Sequence, residues 1–552
     1  MTYVVTQNCC NDATCVDVCP VDCIHPAPGE PGYALAELLH IDPATCIDCG
    51  ACAEVCPVDA IVPDHDLTSA NRRYLDVNAD FIRRAPAAEP AVTAPAKLVV
   101  TEHPTRLRVA IVGSGPSALY AAENLLSRHD VHAEVTIIER LPFAGGLVRY
   151  GVAPDHAHTK SIERSFQRTL RRRGLTAYFD VEVGKHVSID ELSARHHAVL
   201  FATGAAEDRR LGIPGDGLPG SHSAREFVAW YNAHPDFADR SFDLSHPQVV
   251  IIGNGNVALD VARILTTHVD LLRRTDIAEH ALDALRASAV RSVVILGRRG
   301  PESAACTTPE LLGLDADPGI GITIDGLVPI DDDSALKVRL LAEYAQRPAQ
   351  ADRRRIAFRF HTVPMELIGD TRLTGIRVSR SGTAESEIID CGLVLRSIGY
   401  RGVEIPGLPF DATAGTVANR AGRVFDSTSG RPVRGRYVAG WIKRGPIGVI
   451  GTNRACADET VQSILADFRG GVLSEPTVDL ETLRGLIEAR RPQSFGTDGW
   501  LAVDRHEREK GQRLGRPRVK LLDAESVRAV LRPEVDRDST GPDRRTGTEA
   551  AR

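Results

Sequence analysis

The chain has 552 residues, 43% of them apolar, and a net charge of −7. That length exceeds what one hydrophobic core accommodates and implies three or four domains. The longest apolar runs, such as 249–252, stop at glycine after a few residues, and the N-terminus MTYVVTQNCC has neither a charged n-region nor an apolar h-region. A soluble, cytoplasmic chain is therefore expected, with neither membrane nor nucleic acid among its partners. The charge is also split. Residues 1–80 carry 13 acidic and 2 basic side chains, so the remainder is slightly basic. Either this is a chance skew over a short segment, or an acidic head docks on a basic body.

Nine of the twelve cysteines fall before residue 57. Without an export signal, that density points to metal ligands in a reducing compartment rather than to disulfides. The stretch TCIDCGACAEVCP, residues 45–57, reads C-x2-C-x2-C-x3-C-P through Cys46, Cys49, Cys52 and Cys56. A shift of 37 residues lays Cys9 on Cys46, Cys15 on Cys52 and Cys19 on Cys56, and puts Asp12 where Cys49 stands. The repeat continues in CPVDCI (19–24) and CPVDAI (56–61), which predicts one pseudo-symmetric domain over residues 1–75.

In this spacing the first three cysteines of a run hold one cluster and the fourth holds the other. Cys46, Cys49, Cys52 and Cys19 then complete a 4Fe-4S site. Cys9, Cys15 and Cys56 make an incomplete one with Asp12 at the vacant corner. A carboxylate is a harder and weaker ligand for cluster iron than a thiolate, so a 3Fe-4S cluster is expected there. The alternatives are a 4Fe-4S cluster held through Asp12 or a solvent oxygen, and Cys10 swinging in. A zinc ribbon would use four cysteines and leave the rest idle. Cys10 and Cys23 align with Ile47 and Ala60 and read as small buried apolar residues.

Residues 76–106, with RRAPAAEPAVTAPAKLVV at their centre, read as an Ala/Pro-rich linker. From Leu107 strands alternate with helices, the mark of doubly wound sheets. The turn in VAIVGSGPSALYAAENLL (109–126), through Gly113, Gly115, Ser117 and Ala118, lets backbone approach a pyrophosphate at a helix N-terminus. Glu139 ends the next strand, 26 residues after Gly113, where an acid grips ribose hydroxyls. The second turn, in VVIIGNGNVALDVARIL (249–265), runs through Asn254, Gly255, Asn256 and Val257. Its following strand ends in Arg298 and Arg299 with no acid. Paired guanidinium groups suit a 2′-phosphate and select NADP over NAD; the alternative is a solvated strand end. RGPIGVIGTN (444–453) precedes a helix expected near 455–465, whose N-terminal amides would face a flavin. The last residues, 535–552, are polar and expected to be disordered.

Residues 1 to about 65 resemble seven-iron dicluster ferredoxins, including those whose second ligand is aspartate. GGLVRYGVAPDH (145–156) and GWIKRGPIGVIGTN (440–453) resemble the adrenodoxin-reductase family of FAD-dependent ferredoxin–NADP reductases. The whole is similar to fusions of the two. The resemblance implies an α/β flavoprotein with two dinucleotide-binding domains, two doubly wound units, and an N-terminal α+β dicluster ferredoxin domain. FAD would lie on 107–205 with 396–530, and NADP on 206–395. FAD contacts are implied at Ser117, Glu139, Leu147, Val183, Trp441, Gly448, Val449 and Ile450. NADP contacts are implied at Arg209, Asn254, Gly255, Asn256, Val257, Arg298, Arg299, Glu310 and again Gly448. Asp155 and His156 would stand beside flavin and nicotinamide; the alternative is a pair capping a helix that starts near Thr159.

The expected activity is hydride transfer from NADPH to FAD, then single electrons to the fused ferredoxin, with the linker raising its local concentration. An external ferredoxin or a cytochrome P-450-type monooxygenase would follow. The rivals are reverse flow that reduces NADP, an electron-feeding subunit of an amidotransferase-like complex, and a non-catalytic iron–sulfur sensor. A disulfide reductase would need a redox C-x-x-C in the nucleotide domains, and none occurs beyond Cys56, which argues against that rival.

Overall fold

The computed structural model describes residues 2–84 and 106–532, apart from 327, 332–333, 349–351 and 384. In the N-terminal module the strands Tyr3–Val5 and Ile61–Pro63 pair antiparallel, as do Ile24–His25 and His40–Ile41. The 37-residue repeat is a repeat of backbone. Left-handed residues recur as Asn11 and Asp48, Ala13 and Gly50, Asp22 and Asp59. The Cys23 amide donates to Cys19 Sγ at 3.4 Å, and its repeat mate, the Ala60 amide, donates to Cys56 Sγ at 3.3 Å.

The first part of the expected linker, residues 76–84, belongs instead to a helix, Tyr74–Arg84. Its YLDVNADFIRR pattern puts Tyr74, Val77 and Asn78 on a buried face. Asn78 Oδ1 accepts from the Ile41 amide at 3.1 Å and its Nδ2 donates to Val5 O at 3.1 Å, which ties the helix to two strands of the module. The rest of the expected linker, 85–105, and the tail 535–552 lie outside the described residues.

Two sheets follow. The first has seven strands in the order Asn419–Arg420, Arg423–Phe425, Pro432–Val438, Ala198–Phe201, Arg106–Val112, His132–Glu139 and Leu175–Phe179. The five strands from Pro432–Val438 to the edge strand Leu175–Phe179 pair in parallel, and the two short strands at the opposite edge pair antiparallel. The second has six parallel strands, Ser221–Ser223, Leu393–Arg396, Gln248–Ile252, Ser292–Leu296, Arg354–Arg359 and Ile320–Asp325. Parallel strands covered on both faces read as unbroken apolar runs, and Val109, Ala110 and Ile111 have no exposure at all. A three-stranded antiparallel sheet, Thr362–Ile368, Gly375–Arg380 and Ser386–Asp390, interrupts the second unit. The short pair Glu207–Asp208 and Tyr400–Arg401 marks the crossing between the units.

The cluster module is not a separate globule. Val4, Ile24, Leu38 and Tyr74 share one apolar core with Phe227, Ile264 and Leu311 of the second unit. Cys10, Val58 and Ala60 belong to the core of the first, with Leu107 and Tyr120. Ion pairs line the same boundary: Asp17 with Arg454 (3.6 Å), Glu37 with Lys337 (3.8 Å) and Asp80 with Arg339 (3.0 Å). Each puts a module acid on a basic residue of the body.

The C-terminal segment bolts the units together. Glu507, fully buried, takes Arg149 in two hydrogen bonds of 2.6 and 2.9 Å and Arg518 at 3.2 Å. Lys520 and Lys160 share Asp276 at 3.0 and 2.7 Å. Paired in this way the buried charges are tolerated; removing one partner from such a set costs about 3–5 kcal/mol.

Candidate functional site

Three pieces of chain converge at the first glycine turn. Gly113 has φ +105°, and a Cβ there would sit 2.6 Å from Ala202 O, so only glycine lets the neighbouring strand end pass. Gly146 packs so closely on Gly115 that its Cβ would lie 2.9 Å from the Gly115 Cα. Ser117 Oγ donates to Asn453 Oδ1 at 2.8 Å, and Arg444 Nη2 donates to the same oxygen at 3.0 Å. Glu139 is buried. It accepts from the Ser114 amide (2.8 Å), the Ser114 hydroxyl (2.7 Å) and the Leu141 amide (2.8 Å). Burial pushes its carboxyl above the usual range, against the pull of those hydrogen bonds.

Beside this turn, Trp441 Nε1 and Arg444 Nε and Nη1 are buried donors with no partner among the described residues. Buried donors are normally satisfied, so an acceptor-rich ligand fits against them. Leu147 is partly exposed at the start of the helix Leu147–Tyr150, next to Gly146. Val183 pairs with Val187 in an isolated bridge beyond the strand Leu175–Phe179.

The run Gly448, Val449, Ile450 leads into a helix, Thr452–Arg469, longer than the one expected. Its N-terminal amides are not all left for a ligand. The Gly451 amide donates to Cys10 O at 2.6 Å. Arg454 donates to Asp12 O and to Thr14 Oγ1, both at 2.9 Å. The backbone bearing Asp12 therefore lies directly on the end of this run.

In the module, Cys19, Cys46, Cys49 and Cys52 line one cavity together with Tyr3, Val21, Ile47 and Cys23. Cys49 and Ile47 are exposed, so this site faces outward. Cys23 is buried, as expected of a filler, but its Sγ stands 3.5 Å from Cys19 Sγ. Cys10 is buried in the core of the first unit, away from the outward site. Cys9, Cys15 and Cys56 form the inner set. Burial raises all three thiols, Cys9 to about 12, and the Asp12 carboxylate adds to the rise in each. Such thiols ionise only against a metal charge. The Asp12 carboxylate accepts from Thr14 Oγ1 at 2.5 Å and the Thr14 amide at 3.4 Å, which anchors it to the helix Thr14–Asp17.

At the second turn, Gly255 caps the helix Asn256–Thr266. Asn254 Oδ1 accepts from the Ala305 amide (3.2 Å) and Asn256 Oδ1 from the Thr307 amide (2.8 Å), with Val257 one position on. Arg298 and Arg299 are both exposed, and neither guanidinium makes a hydrogen bond or ion pair among the described residues. Arg209 is exposed beside the crossing pair, its amide donating to Gly399 O at 3.3 Å.

Asp155 and His156 are gathered by Arg263, a residue the sequence reading passed over. Arg263 Nε donates to Asp155 at 2.5 Å, and Nη2 donates to Asp260 at 2.6 Å and to His156 Nε2 at 2.7 Å. Accepting that bond, His156 Nε2 presents its lone pair. Glu310 stands 3.5 Å from Arg263 and 3.7 Å from His156. Burial works to raise the Asp155 carboxyl, yet Arg263 outweighs it and holds the group down at about 2. The helix here is Ala157–Lys160, and no side chain caps it. The capping alternative for the pair is thereby excluded.

These features define a pyridine-nucleotide-linked flavoprotein fold carrying an iron–sulfur module. Residues 107–294 match the pyridine nucleotide-disulphide oxidoreductase family, and 39–62 the 4Fe-4S binding domain. The chain is 48% identical to a probable ferredoxin/ferredoxin–NADP reductase of Mycobacterium tuberculosis, across 96% of this chain and 95% of that one. It is 40% identical to the mitochondrial NADPH:adrenodoxin oxidoreductase of Arabidopsis thaliana, over 77% of this chain and 95% of that one. The structure of M. tuberculosis FprA in complex with NADPH superposes with a TM-score of 0.73 at 43% identity, covering 78% of this chain and all of FprA. The chain belongs to the ferredoxin/ferredoxin–NADP reductase family. It is an FAD- and NADP-dependent oxidoreductase with an iron–sulfur domain. Among the described residues no helix is long and apolar enough to cross a membrane.

Arg263, Gly451, Arg454 and Glu37 escaped the sequence reading. Only Arg263 left a signal, as a charged residue on the apolar side of VALDVARIL, three residues after Asp260.

Proposed function

We propose that the chain oxidises NADPH and passes single electrons through its own N-terminal module to an external protein acceptor. A ferredoxin or a haem monooxygenase is the expected class. When bound, the flavin accepts hydride and the clusters carry one electron at a time. The chain's own part is placement.

FAD is assigned to 107–205 with 396–530. Gly113, Gly115, Ser117 and Ala118 bring backbone to its pyrophosphate, Glu139 meets its ribose, and Leu147, Val183, Trp441 and Gly448–Ile450 enclose it. NADP is assigned to 206–395. Asn254–Val257 form its turn, the two free guanidinium groups of Arg298 and Arg299 receive the 2′-phosphate, and Arg209, Glu310 and Gly448 complete the set. Asp155, kept ionised by Arg263, and His156 orient the nicotinamide side. Cys19, Cys46, Cys49 and Cys52 hold a 4Fe-4S cluster. Cys9, Cys15 and Cys56 hold a 3Fe-4S cluster beside Asp12, whose carboxylate is occupied by Thr14.

One observation carries this reading. The Gly451 amide donates to Cys10 O at 2.6 Å, joining the flavin-side run to the loop of the inner cysteines. The inner site thus faces the reductase and the outer site faces solvent. Its rim combines exposed Val18, Val21 and Ile47 with exposed Asp22, Asp48 and Glu54, a surface for a basic acceptor. The module is seated in cores it shares with both units.

The test is an anaerobic NADPH titration of the holoprotein followed by absorbance and EPR. The three-iron signal of the oxidised protein should vanish as the flavin bleaches. Flavin bleaching with unchanged clusters would refute the direction of flow.

A further inference from the structure

The module also touches the nicotinamide side, at the start of the helix Thr308–Asp315. A helix start leaves several amides without intrahelical partners. Here each is accounted for. Thr307 Oγ1 accepts from the Glu310 amide at 3.4 Å, and Pro309 has no amide hydrogen to place. The remaining one, on Thr308, donates to Glu37 Oε2 at 2.8 Å, and Glu37 belongs to the cluster module.

The other oxygen of Glu37 lies 3.8 Å from Lys337 Nζ, which donates to Ala304 O (2.8 Å) and Cys306 O (3.0 Å). Glu37 and Lys337 together therefore grip both sides of the loop 304–307. That loop is what Asn254 and Asn256 hold through the Ala305 and Thr307 amides. The helix it starts carries Glu310, which faces His156 and Arg263. Two further contacts press the module on the same helix. Tyr74 OH donates to Pro309 O at 3.4 Å, and Gln7 lies so close to Gly313 that a Cβ there would be 2.4 Å from its Nε2.

We propose that Glu37 is a positioning residue of the NADP(H) site, acting from the iron–sulfur module by capping the helix that bears Glu310. The module is then part of the nucleotide-binding apparatus as well as an electron carrier. This rests on the assignment of Asn254–Val257 and Arg298–Arg299 to NADP(H).

The test uses the full-length holoprotein. Glu37→Ala should raise KM for NADPH and the dissociation constant of NADP+, read from the flavin difference spectrum, by about five- to tenfold, the fold-change that follows when the stability lost with a cap falls on binding. The kcat should stay within about twofold, because no group at the reacting atoms changes. Glu37→Gln keeps an acceptor for the Thr308 amide and should restore most of the affinity. Lys337→Met, which frees Ala304 O and Cys306 O, should weaken NADP+ in the same direction. Arg298→Ala separates the two readings. If it weakens NADP+ while Glu37→Ala and Lys337→Met do not, the role of Glu37 is overturned. If Arg298→Ala has no effect, the site assignment fails and the role of Glu37 falls with it. A fall in kcat at unchanged KM in Glu37→Ala would also overturn it.

Discussion

Replacing Gly451 with alanine isolates the junction between module and reductase. Gly451 has φ −70° and ψ −26°, values any residue adopts, so nothing within its own chain segment opposes the change. The module does. A Cβ would lie 2.0 Å from both the C and O atoms of Asn11 and 2.2 Å from Asp12 N. These are backbone atoms with no rotamer to yield, so the loop carrying the inner cysteines must lift away. Overpacking of this kind costs about 3 kcal/mol, and losing the Gly451–Cys10 hydrogen bond adds about 1 kcal/mol. At about 1.4 kcal/mol per decade, the seated arrangement falls by a factor of about 1000 relative to the lifted one. The assay compares two acceptors in NADPH turnover. Ferricyanide, small enough to meet the flavin directly, should be reduced within about twofold of the wild-type rate. Cytochrome c, which the proposed route serves through the module, should be reduced more than about tenfold more slowly. Unchanged turnover with both acceptors would refute the junction's role, and a parallel loss with both would show that alanine disturbs the flavin site itself.

Arg298→Ala and Arg299→Ala should each lower kcat/KM for NADPH by about 10- to 100-fold, the range for a lost charge-assisted bond, and leave NADH turnover unchanged. Steady-state kinetics with both nucleotides check this. Asp12→Cys should add one iron per chain and abolish the oxidised-state three-iron EPR signal; a persistent signal would show that the corner is closed to iron for reasons other than its ligand. Asp155 provides a pH test. Its value in the fold, about 2, lies below that of a free carboxyl, so its stabilisation is complete above about pH 4 and fades as pH falls toward 2. Denaturation of Asp155→Asn should give a loss of about 2 kcal/mol at pH 7 that shrinks to nothing across that window. Arg263→Met leaves the half-buried Asp155 and Asp260 without their cation, and should cost about 3 kcal/mol, the low end for a broken buried pair, by the same measurement.

The cysteine spacing, its 37-residue repeat, both glycine turns and the acid or arginine pair after each were legible because each chemistry demands residue types at short, fixed separations. Cluster ligands must crowd one small cage, and a pyrophosphate needs glycines where backbone meets it. That local code even carried the left-handed positions of the module, since Ala13 stands where its repeat mate is Gly50. It went astray at the linker start, where the composition of the segment hid a helix whose anchor, Asn78, is set by strands far away in sequence. The decisive contacts are of that second kind. Cys10 meets Gly451, Glu37 meets Thr308, and Arg263 gathers Asp155 and His156, each across more than a hundred residues. No periodicity in one segment encodes its partner in another. Sequence alone carried the residue types and spacings of each motif; only the packing of the chain around shared cores decided that the loop bearing Asp12 lies against Gly451, that Cys49 is exposed, and that Glu37 of the module meets the Thr308 amide.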